Sequence, residues 1–153
     1  MDLPKTDYFY SRIQRQLGAW LILLLGLFAV RVIIQLQLAI TPVAYFPEFD
    51  AWHSATVSYP ILFSSQILIL ASGWVYVWRL FTSRVAQRPQ LGTVLYTLGW
   101  LYWSVMLVRL ILGLSLYRDV HWFAQEIPAL FHLLLANMLM LVGRFHRQAR
   151  VDL

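Results

Sequence analysis

Four residues carry most of the chemistry this chain offers, and they come in matched pairs. Arg31 sits in "VRVIIQLQL" and Arg109 in "VRLILGLSL", while His53 opens "HSATVSYPILFS" and His121 opens "HWFAQEIPALFH". Two imidazoles facing each other across a helical bundle can ligate haem iron, and nearby cations suit the haem propionates. His53 and His121 are therefore the candidate axial ligands of a haem b, with Arg31 and Arg109 as candidate propionate partners. The same arginines can instead lock their own hairpins through Glu48, Asp50, Asp119 or Glu126, or clasp a lipid phosphate. A guanidinium on a long stem reaches from an apolar run towards the interface.

His132 follows His121 by eleven positions, about three helical turns at 3.6 residues each. On one continuous helix, His121, Gln125 and His132 form a ladder suited to hydrogen bonding a quinone carbonyl or passing protons; a satisfied buried histidine is the plainer expectation for His132. Gln66 and Asn137 lie deep in apolar runs and are each expected to find a partner within the protein, because an unpaired amide in hydrocarbon is costly. His146, among basic residues, is expected to be solvated.

Other chemistry is sparse. There is no His-Glu-x-x-His pattern, no Gly-x-Ser-x-Gly elbow, no phosphate-cradling glycine loop and no dense carboxylate cluster, so the chain is read as noncatalytic. It has no cysteine, which excludes disulfides, thiolate metal sites, iron–sulfur clusters and covalently attached haem.

The elements that must position these residues follow from composition. The chain has 153 residues, 60% of them hydrophobic, and its mean hydropathy is +0.64. That is the composition of a membrane protein. A spanning helix needs about 20 predominantly apolar residues, and four stretches qualify, near 17–38, 54–80, 91–114 and 122–144. The polar start and the long first run predict a retained helix, not a cleaved signal peptide. Seven Trp, eight Tyr and nine Phe supply interfacial anchors, and Tyr96, Trp100, Tyr102 and Trp103 give the third span more rings than anchoring needs.

Charge sets the expected orientation. Lys5, Arg12 and Arg15 precede the first span, Arg79, Arg84 and Arg88 separate the second from the third, and Arg144, Arg147 and Arg150 follow the fourth. The positive-inside tendency makes these segments and both termini cytoplasmic, in a membrane of the bacterial inner type. Topology thus accounts for the net charge of +5, and no nucleic-acid-reading motif accompanies it.

The expected fold is an all-α integral membrane protein, a four-transmembrane-helix bundle forming a single membrane domain over 1–153. Its halves, 17–80 and 91–144, read as tandem helical hairpins in a parallel pseudo-twofold arrangement, because Arg, His, Pro and Leu-Phe recur in order. Ser58, Ser65 and Ser72 on the second span, and Ala129, Ala136 and Gly143 on the fourth, predict that these two pack centrally. Pro60 and Pro128 are expected to kink their helices.

The resulting expectation is a small noncatalytic membrane subunit or scaffold of a larger assembly. Arg31, Arg109, His53, His121, Gln125, Glu126 and His132 would form a polar site for lipid or partner near the outer face, and the partners would be membrane lipid and other membrane subunits or further copies of this chain. A second reading is a haem b or quinone-binding electron-transfer module using His53 and His121. A third is an anion or proton transporter entered past Arg31 and Arg109. The four-helix, two-histidine outline resembles membrane cytochromes b in general form, but no family motif is matched, so no residue roles are carried over.

Overall fold

The computed structural model describes residues 5–52, 57–82, 84–116, 120, 123 and 125–148, with side chains from Ser11 onward. His53, His121 and Asp119 lie outside the described residues. The described elements are α1 (Lys5–Ile40), the short α2 (Phe49–Trp52), α3 (Tyr59–Phe81), α4 (Pro89–Ser115) and α5 (Glu126–Arg147). The described residues form an all-helical bundle, and α1 from Ser11, α3, α4 and α5 are each long and apolar enough to cross a membrane, which suggests a multi-pass membrane protein.

Helix boundaries follow local chemistry. Pro60 falls in the first turn of α3, Pro89 opens α4 and Pro128 is the third residue of α5. A first-turn proline forfeits no intrahelical hydrogen bond, and its fixed φ suits helix entry. Pro60 and Pro128 therefore start their helices, where kinks were expected.

Two seams hold the bundle. The tighter joins α4 and α5 antiparallel, and a second joins α1 to α3. Gly92, Gly99 and Gly113 recur on α4 at multiples of seven, facing the α5 stripe Ala129, Ala136 and Gly143. A Cβ on Gly143 would lie 2.5 Å from the Tyr96 nitrogen, and one on Gly92 would lie 2.6 Å from the Arg147 nitrogen, so the two backbones touch. Such close approach supplies the van der Waals contact that replaces hydrophobic drive inside lipid. The serine stripe does not do this. Ser58, Ser65 and Ser72 are exposed, and the hydroxyls of Ser65 and Ser72 bond carbonyls three residues back on their own helix. α5 thus packs chiefly on α4, because glycine on the facing helix admits it and serine on α3 offers no comparable groove.

α1 is the central helix, packing on both α3 and α5. Its buried stripe runs Gln14, Leu17, Leu21, Leu25, Phe28, Arg31, Val32, Gln35 and Leu38. Leu17, Leu21 and Leu25 meet Val77 and Leu80 of α3 and Phe145 of α5 in the main apolar core. Among the described residues no comparable seam joins α3 to α4. Between these two helices runs an apolar cleft of about 570 Å³, floored by Leu21 and Leu25 of α1 and by Met138 and Val142 of α5.

Candidate functional site

The site is built where α2 folds back over the ends of α1 and α5. A helix leaves its last carbonyls without intrahelical partners, and α2 turns the Trp52 carbonyl into the bundle. Arg31 Nη2 and Gln35 Nε2 both donate to that oxygen, each at 3.1 Å. Gln35 lies one helical turn beyond Arg31, so both project from the same face of α1. The indole of Trp52 is buried and donates to the Pro47 carbonyl at 3.3 Å, which holds the connection closed.

The network crosses to α3 through amides. Gln66 Nε2 donates to Gln35 Oε1 at 3.1 Å. Because Gln35 must present its NH2 to the Trp52 carbonyl, its oxygen accepts, and Gln66 must in turn present its own NH2; this chain of donors fixes both amide orientations. Gln35 is fully buried and Gln66 is 3% exposed, so Gln66 has the internal partner expected of it. Two buried polar atoms are left over, Arg31 Nε and Gln66 Oε1, neither with a hydrogen-bond partner. Such atoms cost about 1–3 kcal/mol each while unpaired.

From α5, Phe131 places its ring 5.3 Å from the Arg31 guanidinium carbon. The cation therefore rests against a π face and a backbone carbonyl, and it has no carboxylate partner among the described residues. His132, next on α5, hydrogen-bonds through Nδ1 to the Tyr102 hydroxyl of α4. Both Arg31 and Arg109 lie within electrostatic reach of His132. Arg109 is 3% exposed, buried on the α4 face that meets α5.

These side chains line a pocket of about 160 Å³ containing Arg31, Gln66, Tyr102, Phe131 and His132, with Trp52 also on its wall. Ile69, Tyr102 and Leu135 line both this pocket and the α3–α4 cleft, so the polar chamber and the apolar cleft share a wall. At the cleft's other end stand Tyr76 and His146.

Several expected site residues lie elsewhere. α5 begins at Glu126 with Gln125 as its non-helical cap, so the ladder from Gln125 to His132 does not form on one helix. Gln125 instead donates through Nε2 to the Asp50 carbonyl at 3.0 Å, tying α2 to α5. Glu126 is exposed in the first turn of α5, where a carboxylate complements the helix dipole, and it does not line the pocket. Asn137 is exposed and bonds its own helix at the Leu133 carbonyl.

His146 is a correction in the other direction. It is 3% exposed, accepting at Nδ1 from the Arg88 backbone N–H at 3.1 Å. With Nδ1 accepting, a neutral ring carries its proton on Nε2, which donates to the Tyr76 hydroxyl, also at 3.1 Å. Gln87 bonds the Phe145 carbonyl at 2.9 Å, so the α3–α4 connection is stitched to the end of α5. The aromatic excess on α4 is also explained in part: Tyr102 binds His132, and Tyr96 lies 4.6 Å beneath the Arg147 guanidinium.

Sequence reasoning passed over Gln35, Trp52 and Tyr102 as site residues. Gln35 was within reach, since Gln14, Leu21, Phe28 and Gln35 recur every seventh position and Arg31 lies on the same stripe. His53 and His121, the expected haem ligands, lie outside the described residues. Compared with protein-family models, with characterised proteins and with solved structures, the chain matches none.

Proposed function

We propose that this protein is a noncatalytic membrane subunit or scaffold that holds a membrane lipid between its helices. The observation that carries the reading is the adjacency of a polar chamber, lined by Arg31, Gln66, Tyr102 and His132, to an apolar cleft of about 570 Å³, the two sharing Ile69, Tyr102 and Leu135. A polar head at one end and a long apolar channel at the other match the shape and chemistry of an amphiphile. Exposed Trp20, Trp74, Trp78 and Trp100 leave large rings on the outside of the bundle for lipid or for neighbouring subunits.

The orientation that goes with this function puts both termini and the 83–88 connection in the cytoplasm and α2 on the outer side of a bacterial-type inner membrane. The distribution of Arg12, Arg15, Arg79, Arg84, Arg88, Arg144 and Arg147 supports it. The polar chamber then lies under the outer leaflet. The hairpins α1–α3 and α4–α5 are the two copies of a duplicated unit, and a buried arginine in the first helix of each, Arg31 and Arg109, is what such a duplication would leave.

Gentle extraction of the native assembly tests the reading, with co-purifying lipids and proteins identified by mass spectrometry. Lipid retained by the chain, together with partner subunits or further copies, is the expected outcome. A monodisperse monomer carrying neither removes the proposal. A Soret band that disappears on replacing His53 or His121 would put the haem module in its place.

A further inference from the structure

On the side of α3 turned away from α1 lies a groove of about 560 Å³, lined by Trp74, Val75, Trp78, Arg79 and Arg84. Gly73, Val77 and Leu80 turn the other way, towards Leu25 and the apolar core on α1. At 3.6 residues per turn, Trp74 and Trp78 are neighbours on the opposite face, and so are Val75 and Arg79. Arg84 joins them because the chain bends back beyond Phe81, where the Arg84 N–H bonds the Arg79 carbonyl at 2.9 Å. The groove shares no lining residue with the cleft or the chamber between the helices.

Position and charge name the occupant. Trp74 is 46% exposed and Trp78 69%, and both lie within two turns of the end of α3 at Phe81. Indole rings at the end of a span sit at the level of lipid head groups. Arg79 and Arg84 are exposed as well, and no acidic residue lines the groove or occurs in α3. Neither arginine forms an ion pair among the described residues. Neither is needed as a helix cap, since Thr82 Oγ1 donates to the Trp78 and Arg79 carbonyls at 3.0 and 3.2 Å.

Two cations on long stems beside two outward rings suit a phosphate whose acyl chains run down the same face past Trp74 and Val75. A zwitterionic phospholipid would set its ammonium against the second arginine. The glycerol head of a phosphatidylglycerol instead offers hydroxyl oxygens, which accept from a guanidinium. We infer that this groove binds one anionic phospholipid of the phosphatidylglycerol type, with its phosphodiester held by Arg79 and Arg84 and its glycerol and chains against Trp78, Trp74 and Val75.

The test is native mass spectrometry of the full-length protein, released from detergent micelles after titration with phosphatidylglycerol or with phosphatidylcholine of identical acyl chains. The first phosphatidylglycerol should bind about fivefold or more tightly than phosphatidylcholine, the worth of one basic residue near a bilayer surface. Arg79→Gln and Arg84→Gln should each weaken phosphatidylglycerol by about fivefold, and the two together by about twentyfold. Arg144→Gln removes the same charge from an exposed position on α5 outside the groove, at the same end of the bundle, and should weaken it less than about twofold.

Equal affinity for the two lipids overturns the inference. A loss with Arg144→Gln as large as that with Arg84→Gln also overturns it, because attraction would then belong to the whole basic rim. Glycerol 3-phosphate in large excess should leave the lipid bound, and its displacement of the lipid would replace a lipid site by a simple phosphate site. The comparison of the two lipids is made on the wild-type chain, so it stands even where a variant fails to fold. A lipid held between the helices survives these substitutions, so this inference and the function proposed above fail separately.

Discussion

Replacing Gly143 by alanine tests whether the α4–α5 seam positions the site. The added Cβ would lie 2.5 Å from the Tyr96 nitrogen, 2.8 Å from Tyr96 Cα and 3.0 Å from the Gly92 oxygen. All three are backbone atoms, so no side chain can swing aside. Ordinary contact begins at 3.4 Å, and the helices must part by about 0.9 Å to relieve the closest approach. Overpacking of this kind costs about 1–3 kcal/mol, against a helix-propensity gain for alanine of at most about 1 kcal/mol. Gly26 is the matched control, because a Cβ there meets nothing within 4 Å and leaves only the propensity term. Reversible unfolding in mixed micelles, titrated with dodecyl sulfate and followed by tryptophan fluorescence, should place Gly143→Ala about 1–3 kcal/mol below Gly26→Ala. The same separation of α4 from α5 should loosen the Tyr102–His132 hydrogen bond, read as a shift of the His132 ring nitrogens in 15N spectra. If the two variants unfold at the same detergent fraction, the backbone contact argued for this seam is wrong.

Three further outcomes follow from the hydrogen bonds. Gln35→Leu removes one donor from the Trp52 carbonyl and the acceptor of Gln66, and should cost about 2 kcal/mol or more; adding Gln66→Leu should recover part of it, since the orphaned Gln66 amide goes with it, and strict additivity in the double-mutant cycle would deny the pairing. His146→Leu leaves the Arg88 N–H without its imidazole acceptor, so limited trypsin digestion after Arg84 should quicken severalfold, whereas an unchanged digestion rate would mean that the connection is held by other contacts. Asn137→Leu touches only its own helix and should change stability by no more than about 0.5 kcal/mol, with a larger loss pointing to a partner for Asn137 in the membrane.

The four long apolar helices were legible because lipid demands them: a backbone crossing hydrocarbon must satisfy its own hydrogen bonds, and the required run length is visible in any sequence that does so. The special standing of Arg31 and Arg109 was legible too, since a charge within an apolar run has to be accommodated by something. Partner choice was not. Serine, alanine and glycine at heptad spacing all announce a possible seam, but which seam forms depends on the facing surface, and the glycines of α4 received α5 while the serines of α3 were left outside.

Local start signals misled where tertiary closure governed. His121, Gln125 and His132 share a helical face only if the helix is continuous, and α5 begins at Glu126. Gln125 is drawn instead to the Asp50 carbonyl, a contact separated by 75 positions that no periodicity could reveal. His146 looked like a solvated tail residue because its neighbours in sequence are basic; its neighbours in space are Tyr76 and the Arg88 backbone.

By itself the sequence determined the class of protein, the number of apolar helices and the demand that two buried cations be stabilised, because these depend on the composition of single segments. Only the tertiary structure decided how that demand was met for Arg31, through the folding back of α2 to present the Trp52 carbonyl, which Gln35 shares and Gln66 supports from α3. The physical reason is that hydrogen-bond complementarity is a property of several chain segments meeting at a point, here α1, α2 and α3, and no single segment specifies where they meet.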